Sequence, residues 1–191
     1  MYGRRPYILL LIEVIELKNT GKTAFCAMMA ALASSIMLVS FFPYLTYAVP
    51  AVAGLFIMVA VIETNIKWAL VTYVVSAVIT FLMAEPEAKM LYVLFFGYYP
   101  ILKSVFERTK SRILEYILKF AVFNAAILLT YLLLAPIMGF SVEDFGEFGK
   151  YSAIVLLVGA NIVFPIYDMA VSQMAQFYMM RVHPSVKRIF K

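Results

Sequence analysis

The sequence of 191 residues contains one cysteine, one histidine and few charged residues, and each scarcity excludes a class of protein. Cys26 has no second cysteine with which to form an intrachain disulfide, and His183 cannot form a histidine metal cluster alone. Only 14% of the residues are charged, whereas soluble domains have about 25%. The chain is therefore not an ordinary soluble domain, and we expect neither a metal nor a cofactor.

Catalytic motifs are also lacking. Gly21-Lys22-Thr23 resembles the end of a phosphate-binding loop, but that loop needs an earlier glycine where this chain has Glu16. The sequence has no Gly-x-Ser-x-Gly motif, and His183 lies in a tail from which it cannot reach Cys26. We therefore expect no enzymatic activity, and an energy source would have to come from another subunit or from a gradient.

Long apolar stretches dominate what remains. The chain is 64% hydrophobic, with a mean hydropathy of +0.92, and a helix needs about 20 apolar residues to cross about 30 Å of hydrocarbon. We predict an all-α membrane protein, with six transmembrane helices in one bundle. The predicted spans are approximately 23–42, 48–62, 68–83, 90–106, 113–138 and 151–180.

The basic residues indicate the orientation of these spans. Thirteen of the 16 lysines and arginines lie on one side of the bundle if both termini share that side. Lys89 and Lys150 lie on the other side, and Lys119 lies within a span. Because positive charge is retained in the cytoplasm, we predict cytoplasmic termini in a cell membrane. The thirteen are Arg4, Arg5, Lys18, Lys22, Lys67, Lys103, Arg108, Lys110, Arg112, Arg181, Lys187, Arg188 and Lys191.

This topology divides the chain into three parts. Residues 1–22 form a cytoplasmic N-terminal segment, residues 23–180 the six-span membrane domain, and residues 181–191 a basic cytoplasmic tail. The first seventeen residues are either an interfacial helix or a non-native extension from an upstream start codon. The basic residues are spread over four segments, which favours contact with anionic lipid and not with nucleic acid.

Small residues form a stripe along the first span. Ala24, Ala27, Ala31 and Ser35 follow one helical face, and such residues let another helix backbone approach closely in lipid. One interpretation is internal packing against another span. The other is a docking face for a separate subunit.

Asp168 is a possible functional acid, because a carboxylate at bilayer depth is costly and by default marks function. Alternatively, it lies close enough to the inner surface to escape, or it pairs with Lys119 or Lys103. We expect Lys103 to extend to the cytoplasmic surface. Glu115 and Lys119 stand four residues apart and are expected to pair.

Five further residues are candidates for substrate binding: Tyr44, Tyr47, Tyr98, Asn124 and Asn161. Tyr44 and Tyr47 lie in the first outside segment, Tyr98 lies beside a glycine and near a proline, and the asparagines lie at mid-span. Aromatic faces stack on flat molecules and amides orient their polar edges. The alternatives are interfacial tyrosines and asparagines that join helices.

The segment Lys22-Thr23-Ala24-Phe25-Cys26-Ala27-Met28-Met29-Ala30-Ala31-Leu32-Ala33, followed by five more spans, resembles the substrate-binding S components of energy-coupling factor (ECF) vitamin transporters. The resemblance covers about residues 18–185. It implies that Ala27 and Ala31, with Ser35 continuing the face, contact a membrane coupling subunit driven by two cytoplasmic ATPases. It also implies that the outer half encloses a vitamin-like small molecule and that the subunit topples to release it inward.

A different class competes with this interpretation. A small six-span protein is also suited to a structural or scaffolding role, for example in a bacterial cell-wall elongation complex, with no ligand. A cavity containing a small molecule would favour the transporter, and tight packing throughout would favour the scaffold.

Overall fold

A computed structural model describes residues 19–42, 44–109, 111–138 and 152–189, and these residues form helices and no strand. The prediction of an all-α protein is therefore confirmed for the described part of the chain. The α-helices are α1 Asn19–Met37, α2 Ala48–Glu63, α3 Ile66–Met83, α4 Pro86–Leu91, α5 Tyr99–Phe106, α6 Arg112–Met138, α7 Ser152–Arg181 and α8 His183–Ile189. A 3-10 turn, Leu38–Phe41, continues α1, and a π-helical segment, Tyr92–Phe96, follows α4.

Within the described residues, three helical stretches are long and apolar enough to cross a membrane. They are Thr20–Phe41, Ile66–Met83 and Arg112–Thr130, and α2 is a shorter apolar helix. Each predicted span corresponds to helical structure. The fourth is not one regular helix, because α4, the π-helical segment and α5 divide it.

Local sequence accounts for several helix ends. Asn65 precedes α3, and its side-chain oxygen accepts a hydrogen bond from the Trp68 amide at 3.1 Å, which satisfies a donor that a helix start leaves free. Glu85 caps α4 in the same way, at 2.9 Å from the Ala88 amide. Pro86 occupies the first turn, where its missing N–H costs nothing. The turns at 64–65 and 84–85 have two residues each, a length typical of connections between antiparallel helices.

The first three helices pack around a core that also includes α5. Its buried members come from α1 (Phe25, Met29), α2 (Ile57, Ala60, Val61), α3 (Ala69) and α5 (Ile101). The bundle has two chemically different ends. One end carries the 63–67 turn, the 107–112 connection and the start of α8, and the other carries residues 44–47 and 84–89.

Several sequence predictions concern residues that the structure does not describe. They are the character of the first seventeen residues, the connection between the fifth and sixth predicted spans, which includes Lys150, and the last two residues of the basic tail.

Candidate functional site

Where the fourth predicted span is interrupted, a backbone carbonyl loses its hydrogen bond within the helix and accepts one from a side chain of another helix. The amide of Gly97 donates to Tyr92 O at 2.8 Å instead of to Val93 O, as the π-helical register requires. Val93 O is thereby released, and the hydroxyl of Tyr73 on α3 donates to it at 2.6 Å. Short π-helical segments of this kind are frequent at functional sites.

Two glycines allow close packing at this interruption. Pro100 lies in the first turn of α5 and has no N–H to offer Phe96 O, four residues earlier. Gly54 of α2 faces that carbonyl so closely that a Cβ atom would overlap with it. A Cβ on Gly97 would lie 2.7 Å from the Tyr73 ring. The interrupted helix therefore approaches the backbone of α2 at Gly54, and its own backbone at Gly97 lies against the Tyr73 ring of α3.

An aromatic cluster joins this region to α6 and α7. Phe123 and Phe164 stack with ring centroids 4.4 Å apart, and Phe95 packs against Tyr99 at 4.8 Å. Tyr167 extends the cluster, 5.6 Å from the Tyr99 ring. Within the described residues, the buried hydroxyl of Tyr167 has no hydrogen-bond partner.

Asp168 contacts the aromatic cluster through Tyr99 and is the centre of a charged network. Its Oδ1 accepts hydrogen bonds from Lys103 and, at 2.6 Å, from the Tyr99 hydroxyl. Lys119 Nζ lies 3.1 Å from the other carboxylate oxygen, Oδ2. The lysines come from α5 and α6 and the aspartate from α7, so this carboxylate joins three helices. A charge is tolerated out of water when it is paired and hydrogen-bonded in this way.

Two glutamates complete the network toward the basic end of the bundle. Glu107 Oε1 lies 3.1 Å from Lys103 Nζ and 3.6 Å from Lys119 Nζ. Glu115 Oε1 lies 2.7 Å from Lys119 Nζ, which confirms the pair expected from their spacing. We expected Lys103 to reach the surface, and this was wrong. Its side chain is only 6% exposed because Asp168 and Glu107 hold it inside.

Of the five predicted substrate-binding residues, only the two asparagines are in direct contact with each other in the described part of the chain. Asn124 and Asn161 bind each other reciprocally, with both amide contacts at 2.9 Å. Tyr98 packs edge-on against Tyr73 on α3. Tyr44 and Tyr47 lie at the other end of the bundle, both exposed.

Tyr44 and Tyr47 lie in the segment before α2. Tyr44 is 96% exposed and has a positive φ of 71°, a conformation that is uncommon for a side chain of this size. Tyr47 donates a weak hydrogen bond to Glu87 Oε2 at 3.5 Å. Partial burial, and then the Glu87 carboxylate, raise the pKa of the Tyr47 hydroxyl. This contact joins the two short segments at this end of the bundle.

The small-residue stripe on α1 faces away from the other described helices. Its four members, Ala24, Ala27, Ala31 and Ser35, are all exposed. Neighbouring small residues behave differently: Ala30 and Ala33 are 2% and 0% exposed. The internal packing of α1 therefore uses the adjacent face and leaves the stripe uncovered.

The sequence analysis did not anticipate a second polar cluster, which links α2 to the C-terminal helices. Glu63, only 5% exposed, accepts a hydrogen bond from the Tyr178 hydroxyl at 2.8 Å. The same Glu63 oxygen lies 2.9 Å from His183 Nδ1. Glu63 is more than a hundred positions from both partners. The one signal in the sequence is that Glu63 lies at the end of one predicted span and His183 lies just beyond the end of another.

No protein-family model matches the chain, and neither a curated protein nor a solved structure matches it significantly.

Proposed function

We propose that this chain is the membrane-embedded substrate-binding subunit of an ECF-type importer, which captures a vitamin-like molecule outside and delivers it inward. A separate coupling subunit and two ATPases would complete the transporter. The observation that carries this proposal is the exposure of Ala24, Ala27, Ala31 and Ser35 along one face of α1. Small side chains permit the close helix contact on which association in lipid depends.

The proposed topology has six spans and cytoplasmic termini. Two contacts support it: Tyr47 meets Glu87 at one end of the bundle, and Glu63 meets His183 at the other. The second end is the basic one, which is retained in the cytoplasm. Single cysteines at Thr46, Glu87 and Glu147, introduced after Cys26→Ser, should react with an impermeant thiol reagent in intact cells. A cysteine at Lys110 should not, and the reverse pattern would reverse the orientation.

Docking is tested by substituting the stripe with large side chains. Ala27→Trp and Ala31→Trp should abolish co-purification with the coupling subunit and substrate uptake, because a bulky ring prevents close backbone approach. The isolated protein should remain folded. Ala125→Trp is the matched control, since Ala125 is an exposed alanine on α6 and should tolerate the change. Normal co-purification of both stripe variants, or their unfolding, would contradict the proposal.

The scaffold is a second candidate, supported by the close packing of the aromatic cluster and by the asparagine pair. Because Asn124 and Asn161 satisfy each other, they require no ligand in this conformation. Mass spectrometry of small molecules that co-purify with the protein distinguishes the two candidates. A stoichiometric small molecule is expected of the binding subunit, and none is expected of a scaffold.

A further inference from the structure

Glu63, Tyr178 and His183 form a polar cluster that joins the ends of three helices. Glu63 ends α2, Tyr178 lies near the end of α7 and His183 begins α8. The Glu63 and His183 side chains are 6% and 14% exposed. A buried carboxylate is stable when a charge of opposite sign compensates it, and an imidazole supplies that charge only when protonated.

The same cluster fixes the position of α8. Val186, one turn beyond His183, packs against the core shared by α1, α2, α3 and α5, whose buried members include Phe25, Met29 and Ile101. A helix of seven residues is too short to be stable alone. Among the side chains of α8 that the structure describes, Val186 and His183 both contribute to its docking.

The helices that meet at the cluster carry further basic residues. Lys22 lies in the first turns of α1, Lys67 near the start of α3 and Arg181 at the end of α7, and α8 itself carries Lys187 and Arg188. Among the side chains that the structure describes, His183 is the one basic group within ion-pair distance of Glu63. Glu63 therefore has two direct partners among the described side chains, the neutral Tyr178 hydroxyl and the His183 imidazole, and only the imidazole can carry a positive charge.

We propose that Glu63, Tyr178 and His183 form a proton-dependent latch, which holds α8 against the basic end of the bundle while His183 is protonated. Loss of that proton removes the attraction between the two side chains and leaves the carboxylate with neutral donors. While Glu63 is ionised, α8 is therefore held more tightly at lower pH and is released as the pH rises. Imidazole groups change charge between about pH 5 and 8, so this range covers ordinary cytoplasmic conditions.

Thiol accessibility in the purified full-length protein tests the latch. In a Cys26→Ser background, Val186→Cys reports on the docked face of α8, and Ser185→Cys, at an exposed position, serves as the reference. The ratio of their maleimide reaction rates cancels the pH dependence of the thiol itself. From about pH 5.5 to about pH 8.5 this ratio should rise about tenfold, across the range in which imidazole loses its charge.

Three variants identify the groups responsible. Glu63→Gln and His183→Gln should each make the ratio independent of pH, because neither retains a titrating ion pair. Tyr178→Phe removes a neutral donor, so the ratio should rise but keep its pH dependence. Circular dichroism establishes that each variant is folded.

A pH dependence that survives in folded His183→Gln would overturn the proposal. So would a constant ratio in the protein with the latch intact, whether Val186→Cys is always protected or always reactive. The latch does not depend on the transport role, so a negative result in either test leaves the other standing.

Discussion

Replacing Asp168 with asparagine tests whether this residue is structural, because the substitution keeps its size and removes its charge. Lys103 and Lys119, 5% and 2% exposed, would each lose a carboxylate partner. Removing one member of a buried ion pair costs about 3–5 kcal/mol. Glu107 remains 3.1 Å from Lys103 and Glu115 remains 2.7 Å from Lys119, so we expect the lower end, about 3 kcal/mol.

The native cysteine provides the assay. Cys26 is 4% exposed in the folded protein, so a thiol-reactive dye should report its exposure on heating. For a chain of this size, a loss of about 3 kcal/mol should lower the Tm by about 6–12 °C. Glu87→Gln is the control, because among the described residues this carboxylate makes only the weak contact with Tyr47, and its loss should cost about 0–1 kcal/mol.

A double variant tests whether Asp168 and Lys119 stabilise the protein through their contact with each other. Lys119→Met combined with Asp168→Asn should cost less than the sum of the two single variants, since each removes a partner of the other. An unchanged Tm for Asp168→Asn would refute the inference that this carboxylate compensates the two lysines. An unchanged Tm with loss of uptake would instead identify Asp168 as a functional acid.

Two further predictions concern helix packing. Gly54→Ala should lower the free energy of unfolding by about 1–3 kcal/mol, because the new Cβ atom overlaps with Phe96 O. Gly159→Ala is the control and should not destabilise the protein, because its Cβ position has open space around it. Equal effects of the two substitutions in the dye assay would contradict this account. Asn161→Leu should cost about 0.6–2 kcal/mol by removing both contacts with the Asn124 side chain, which keeps its hydrogen bond to Phe120 O, and stability should recover when Asn124→Leu is added. If the protein binds a vitamin-like ligand through these amides, Asn161→Leu should also reduce the affinity about tenfold, which corresponds to about 1.4 kcal/mol and is measurable by titration.

Sequence alone determined the helical class and most helix positions. The apolar stretches are long, and the breaks between them carry local signals such as Asn65 and the Glu85-Pro86 pair, which act within one turn. The pairing of Glu115 with Lys119 was predictable for the same reason, because four residues of helix bring the two side chains to one face. These features depend only on neighbours along the chain.

The tertiary structure decided which distant polar groups meet. Asp168 pairs with Lys103 across 65 positions and Glu63 approaches His183 across 120 positions, and such contacts depend on how each helix rotates about its axis. Apolar side chains surround most of these helices, so hydrophobic periodicity gives little indication of that rotation. Small differences in packing place the Ala27 face outward and Ala33 inward, and the small residues on both faces of this helix do not indicate which of them is buried.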